Sequence, residues 1–151
     1  MKLAQPQQRG HKHRPRTGTA IVEVAICFPV FMLILMGIIE FGRAMSVNQM
    51  LNSASRIGCR AAILDGSSNS SVTSVVKQHV ASTLGCQPAS VTVAISVTSG
   101  RTGDAIPDVS TATTGDLVEL DVFVPLADVS WSVKNWLGTS KIHGECAMQH
   151  E

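Results

Sequence analysis

The sequence predicts an α+β protein: a long N-terminal transmembrane helix continuing into a small head with a second helix and an antiparallel sheet. Three observations predict it. A run without a charged residue spans Val24 to Ile39. An amphipathic pattern succeeds it unbroken to about Leu64. Two later segments, SVTVAISV and LVELDVFVP, alternate strictly between apolar and other residues.

The first element is set up by charge. Lys2, Arg9, Lys12, Arg14 and Arg16 precede Thr19 with no acid among them, although the whole chain balances 12 basic against 11 acidic residues. Residues 1–18 therefore read as a basic leader, and the remainder of the chain is net acidic. A basic head on an acidic body does not suggest a nucleic-acid binder; it fits a cytoplasmic anchor, because Lys and Arg stay on the cytoplasmic side of a membrane. His11 and His13 within it read as part of a solvated tail.

Residues 19–40 read as the transmembrane helix. From Thr19 to Ile39 the stretch covers roughly 32 Å at about 1.5 Å per residue, enough to cross a hydrocarbon core. Residues 24–39 are apolar on every face, and a chain of 151 residues has little core with which to surround them. A cleavable secretory signal shares the basic start and the apolar run. It wants small residues after that run, where GIIEFGRAMS carries Glu40 and Arg43. Two residues in the span are out of character: Glu23, an acid near its start, and Pro29, which lacks an N–H and crowds the carbonyl of Ala25. A kink is expected near residues 25–29.

Past Glu40 the helix turns amphipathic. Ala44, Val47, Leu51, Ala54, Ile57, Ala61 and Leu64 recur at steps of three and four, and Asp65-Gly66 stops the pattern. The pattern predicts one helix from about Thr19 to Leu64, on the order of 70 Å long. Residues 65–151 form the extracytoplasmic head, opening with GSSNSS (66–71) as a polar linker. A second helix over Val72 to Leu84 buries Val72, Val76, Val80 and Leu84, with Ser71 as cap and Gly85 as stop. Val91, Val93, Ile95 and Val97 share one strand face; Val118, Leu120, Val122 and Val124 share another, with Glu119 and Asp121 outward. Between them, residues 98–116 read as a functional or mobile loop. Asp128 can cap a short helix to Leu137, closed by Gly138. KIHGECAM gives a last strand with Ile142, Gly144, Cys146 and Met148 on one side.

The head shows no constellation for chemistry. Ser74-Val75-Val76-Lys77 fits Ser-x-x-Lys but lacks the motifs that accompany it in β-lactamases. Asp104, Asp108 and Asp116 do not have calcium-loop spacing and read as a solvated acidic loop. Trp131 and Trp136 read as core or interface anchors, and His79 and His143 as surface or core residues. No enzyme and no cofactor is expected. Cys27 lies in the apolar run; the other cysteines allow one disulfide among Cys59, Cys86 and Cys146, with the pairing open.

Gly18 followed by TAIVEVAICFPVFMLILMGIIEFGRA places Glu23 fifth after the glycine. This resembles the processing site of type IV pilin-like proteins, which a prepilin peptidase cuts after the glycine. With Pro29, the Glu-Phe-Gly-Arg turn and NQMLNSASRIGCRAA, residues 17–62 look like the TadE-like family of tight-adherence pilus assembly proteins. Thr19 departs from the aromatic residue that pilins often carry after the cut.

The resemblance implies a non-catalytic minor pilin or pseudopilin of a tight-adherence (Flp-type) pilus. It implies cleavage between Gly18 and Thr19, and Glu23 as the assembly residue. The membrane, the prepilin peptidase and other pilin-like subunits with their assembly machinery would be its partners. The expected location is the inner membrane, crossed once, N-terminus in the cytoplasm and head outside, with the pilus as a further destination. The alternative is a single-span protein whose outer domain binds a ligand or acts as an enzyme, the helix serving only as tether.

Overall fold

The computed structural model describes residues 17–64, 66–129 and 140–150. The expectations for the basic leader, His11, His13, Trp131, Trp136 and the stretch from Ser130 to Gly138 fall outside these residues. The elements run in the order α1 (Thr17–Ala62), α2 (Asn69–Leu84), β1 (Thr92–Thr98), β2 (Ala105–Ile106), β3 (Leu117–Pro125), α3 (Leu126–Val129) and β4 (Lys141–Gln149). The strands form one antiparallel sheet in the order β2-β1-β3-β4, so the α+β class is as the sequence predicts. The chain divides after Gly37 into two compact units.

In the first unit, the described residues belong to α1, and Pro29 sits inside the helix without ending it. Its large apolar side chains are uncovered: Ile21 is 70% exposed and Leu33 74%. Among the described residues α1 is the one helix long and apolar enough to cross a membrane.

The second unit is built on the rest of α1. Val47, Leu51, Ala54, Ser55, Cys59 and Ala62 are buried, while Ile57 is 38% and Leu64 64% exposed. The expected stripe thus holds through Ala54 and then rotates toward smaller residues. The reason is close approach. A Cβ at Gly58 would stand 2.6 Å from Val76 Cγ2 and 2.7 Å from Leu120 Cδ1, so α2 and β3 press in where α1 offers no bulk. Ser55 is satisfied within the helix, its hydroxyl donating to the Asn52 carbonyl at 3.0 Å.

The expected linker is shorter than 66–71, because α2 starts at Asn69. Ser68, not Ser71, is the N-cap: the two serines form a reciprocal capping box, with Ser71 at its third helical position. Gly85 closes the helix at φ 67°, as expected of a left-handed cap. Val72, Val76 and Val80 are buried on one face.

β3 is the centre of the core. Val118, Leu120, Val122 and Val124 are at most 1% exposed, each worth about 1.5–3 kcal/mol of gross burial. The register sets Val97 opposite Val118, Ile95 opposite Leu120, Leu120 opposite Cys146 and Val122 opposite Gly144. Ile142, Gly144, Cys146 and Met148 share the inward side of β4.

The segment 98–116 is structured rather than a free loop. It contains β2 and a short 3-10 turn at Val109–Thr111. Asp116 is buried, which corrects its reading as a solvated loop acid. Its carboxylate accepts from the Gly100 N–H at 3.0 Å, the Thr113 N–H at 2.7 Å and the Thr113 hydroxyl at 3.0 Å. Its carbonyl accepts the His150 N–H at 2.8 Å, which ties the far end of β4 to the same knot. Asp108 instead caps the 3-10 turn, accepting from the Ser110 N–H at 2.9 Å. Both acids serve their own backbone.

Candidate functional site

The residues singled out in the sequence lie at the start of α1. Gly18 and Thr19 are in its first turn, and Glu23 stands one turn beyond Thr19 at i, i+4 spacing. All three are exposed. A Cβ at Gly18 would meet nothing within 4 Å, and its φ lies outside the left-handed region. Neither packing nor backbone conformation therefore asks for glycine there, although glycine is among the weakest helix formers. Glu23 makes no hydrogen bond or ion pair among the described residues. Around it Ile21, Val22, Val24 and Ile26 are 59–70% exposed, a continuous apolar surface carrying one acid.

The head fixes its end of α1 through polar contacts that hydropathy patterning does not reveal. Arg43 Nε donates to the Val129 carbonyl at the end of α3. Asn48 Nδ2 donates to the His143 carbonyl at 3.0 Å, and Asn52 Oδ1 accepts the Glu145 N–H at 3.2 Å. Asn52 Nδ2 donates to Asn48 Oδ1 at 3.0 Å, so the two amides orient each other. The signal is present as Asn-x-x-x-Asn on one helix face, a spacing that suits a strand edge lying alongside.

Elsewhere the head offers little chemistry. Ser74 is exposed on α2 and Lys77 half-buried. Glu119, Asp121 and Glu145 line an open depression of about 460 Å³. Among the described residues no group of three His, Cys, Asp or Glu side chains is placed to hold a metal ion. Every buried side-chain nitrogen and oxygen among the described residues has a partner.

The four cysteines are free thiols. Cys27 is exposed on α1. Cys59 is fully buried, and its Sγ donates to the Cys146 carbonyl at 3.2 Å. Burial, and then the hydrogen-bonding Cys146 thiol beside it, push the Cys59 thiol up to about 12. Cys86 is raised by burial, with Asp128 as the charged neighbour acting in the same direction.

The TadE-like protein family model matches residues 18–60, the stretch that runs from Gly18 along α1 into the head. No curated protein and no solved structure matches the chain. Over those residues, which carry the exposed glycine, the isolated acid and the head-anchoring arginine and asparagines, the chain is similar to that family.

Proposed function

We propose that this protein is a non-catalytic component of a tight-adherence pilus, a minor pilin or pseudopilin anchored in the inner membrane by α1. Its basic leader, residues 1–18, stays in the cytoplasm and is removed by a prepilin peptidase. Hydrolysis of the Gly18–Thr19 bond frees the Thr19 α-amine one helical turn from Glu23. That amine is the partner an acid in an apolar span requires, within the helix or in a neighbouring pilin-like subunit. Residues 19–40 cross the bilayer, and the head, residues 65–151, stands outside it. Pro29 kinks the span and eases its packing.

The observation that carries this reading is the TadE-like match over residues 18–60, beginning at a glycine that the fold does not need. The exposed apolar face of α1 supports it, since such a surface is stable only in lipid or against other apolar helices. N-terminal sequencing of the protein recovered from cells tests it. A mature chain beginning TAIVEVAI is expected; a chain beginning at Met1, or beyond Arg43, would refute the processing and with it the pilin role.

A further inference from the structure

Two cysteines that are 87 residues apart in sequence meet between α1 and β4. Cys59 is fully buried on α1, and Cys146 is half-buried on the inward side of β4. Besides the Sγ–carbonyl contact at 3.2 Å, the two thiols lie within interacting range of each other. The backbones that carry them are held together nearby. Gly144 packs against the Leu51–Asn52 peptide, and the two asparagines hold His143 and Glu145. Cys86 has Asp128 as a charged neighbour, and Cys27 belongs to the first unit.

We propose that Cys59 and Cys146 are joined by a disulfide in the working protein, forming a covalent staple between the helix and the last strand. The proposal rests on the head lying outside the cytoplasm, where disulfides persist. The oxidant is a protein dithiol oxidase in its disulfide form. The Cys146 thiolate attacks one sulfur of that disulfide, and the other sulfur leaves as a thiolate. The Cys59 thiolate then attacks Cys146 Sγ and displaces the oxidase. Two thiols have become one disulfide, the oxidase disulfide has become a dithiol, and the two protons given up are taken by its sulfurs. Burial of Cys59 makes it a poor nucleophile in the closed head, so closure is fastest before β4 seats. The same burial shields the finished bond from attacking thiols.

The full-length protein, purified in detergent, is reduced in denaturant, refolded with oxidised glutathione, alkylated, digested and mapped by mass spectrometry. A single cross-linked peptide pair containing Cys59 and Cys146 is expected, and Cys86→Ser should retain it. A pair involving Cys86, mixed disulfides with glutathione in place of the pair, or two thiols that stay free would overturn the proposal. In cells, thiols are alkylated before lysis, and protease is added to spheroplasts to locate the head. Cys59 and Cys146 are expected to label only after reduction. A head reached by protease yet carrying both thiols free overturns the bond alone; a head out of reach overturns its location and, with it, the bond in cells.

Discussion

Asn52 on α1 accepts the backbone N–H of Glu145 on β4, and one turn earlier Asn48 donates to the carbonyl of His143. Four helical residues advance about 6 Å and two strand residues about 6.6 Å, so the two elements run side by side in the same direction with matched steps. β4 is an outer strand of the sheet, and these amides occupy polar groups that would otherwise offer a template to another chain. Replacing both with alanine is expected to cost about 1–3 kcal/mol, since each hydrogen bond is worth roughly 0.5–1.5 kcal/mol net. Chemical denaturation of the detergent-solubilised protein measures the loss, and light scattering should show increased self-association. An unchanged midpoint and unchanged scattering would remove the edge role.

Gly144 is where β4 comes closest to α1. A Cβ there would lie 2.4 Å from the Leu51 carbonyl carbon and 2.5 Å from the Asn52 nitrogen. Both are backbone atoms of a helix and cannot swing aside. Gly144→Ala should therefore destabilise the head by about 1–3 kcal/mol, the usual range for overpacking, and Gly144→Val by more. Thermal unfolding should rank wild type above alanine above valine; an alanine variant as stable as wild type would mean the strand can move outward freely.

The Asp116 carboxyl is held below the usual carboxylate range, first by the Thr113 N–H and then by the Gly100 N–H. A depressed folded pKa contributes stability that is fully present above the unfolded value, near 4, and is lost as pH falls through the folded value. The head should lose stability on acidification below about pH 4. Asp116→Asn should be less stable at neutral pH, because its amide brings donors toward groups that donate, and its acid dependence should be flatter. Denaturation midpoints measured across pH 2–7 check both; parallel curves would assign the acid sensitivity elsewhere. Asp108, lowered by the Ser110 N–H it accepts, adds to the same trend, so Asp116→Asn should reduce the acid loss without abolishing it.

Glu23 has no role in holding the described fold together, which makes it a clean probe of assembly. Glu23→Ala should leave membrane insertion and head stability within about 0.5 kcal/mol of wild type, as expected for an exposed substitution. It should abolish incorporation into pili. Fractionation with immunodetection checks insertion, and electron microscopy checks the filaments; normal pili in the variant would remove the amine–carboxylate pairing. Gly18→Leu should leave the fold unchanged and block trimming, as seen in the mass of the mature chain.

The elements whose residues repeat with a clear period are legible in the sequence. Val118, Leu120, Val122 and Val124 reveal β3 because strand alternation is local and every second side chain had to be buried. α1 is legible through Ala54 and misleading at Ile57, because a hydropathy pattern favours bulk whereas the sheet needs the small residues around Gly58. Ser68 is hidden as a cap because several serines stand close together and only geometry chooses among them. Asp116 looks solvated because two of its partners, Gly100 and His150, are distant in sequence and are brought to it by the sheet. Gly18, Glu23 and Pro29 stand out in the sequence because a glycine, an acid and a proline are conspicuous in an apolar run.

β4 comes after every element it binds. It supplies the contacts for Asn48, Asn52 and Cys59, and His150 just beyond it closes the knot at Asp116. Until β4 is in place, β3 lacks one neighbour and the upper part of α1 lacks its seat. The head thus stays open while the elements before β4 are being made. Closure is then governed by contacts between distant parts of the chain, which makes it a slow step.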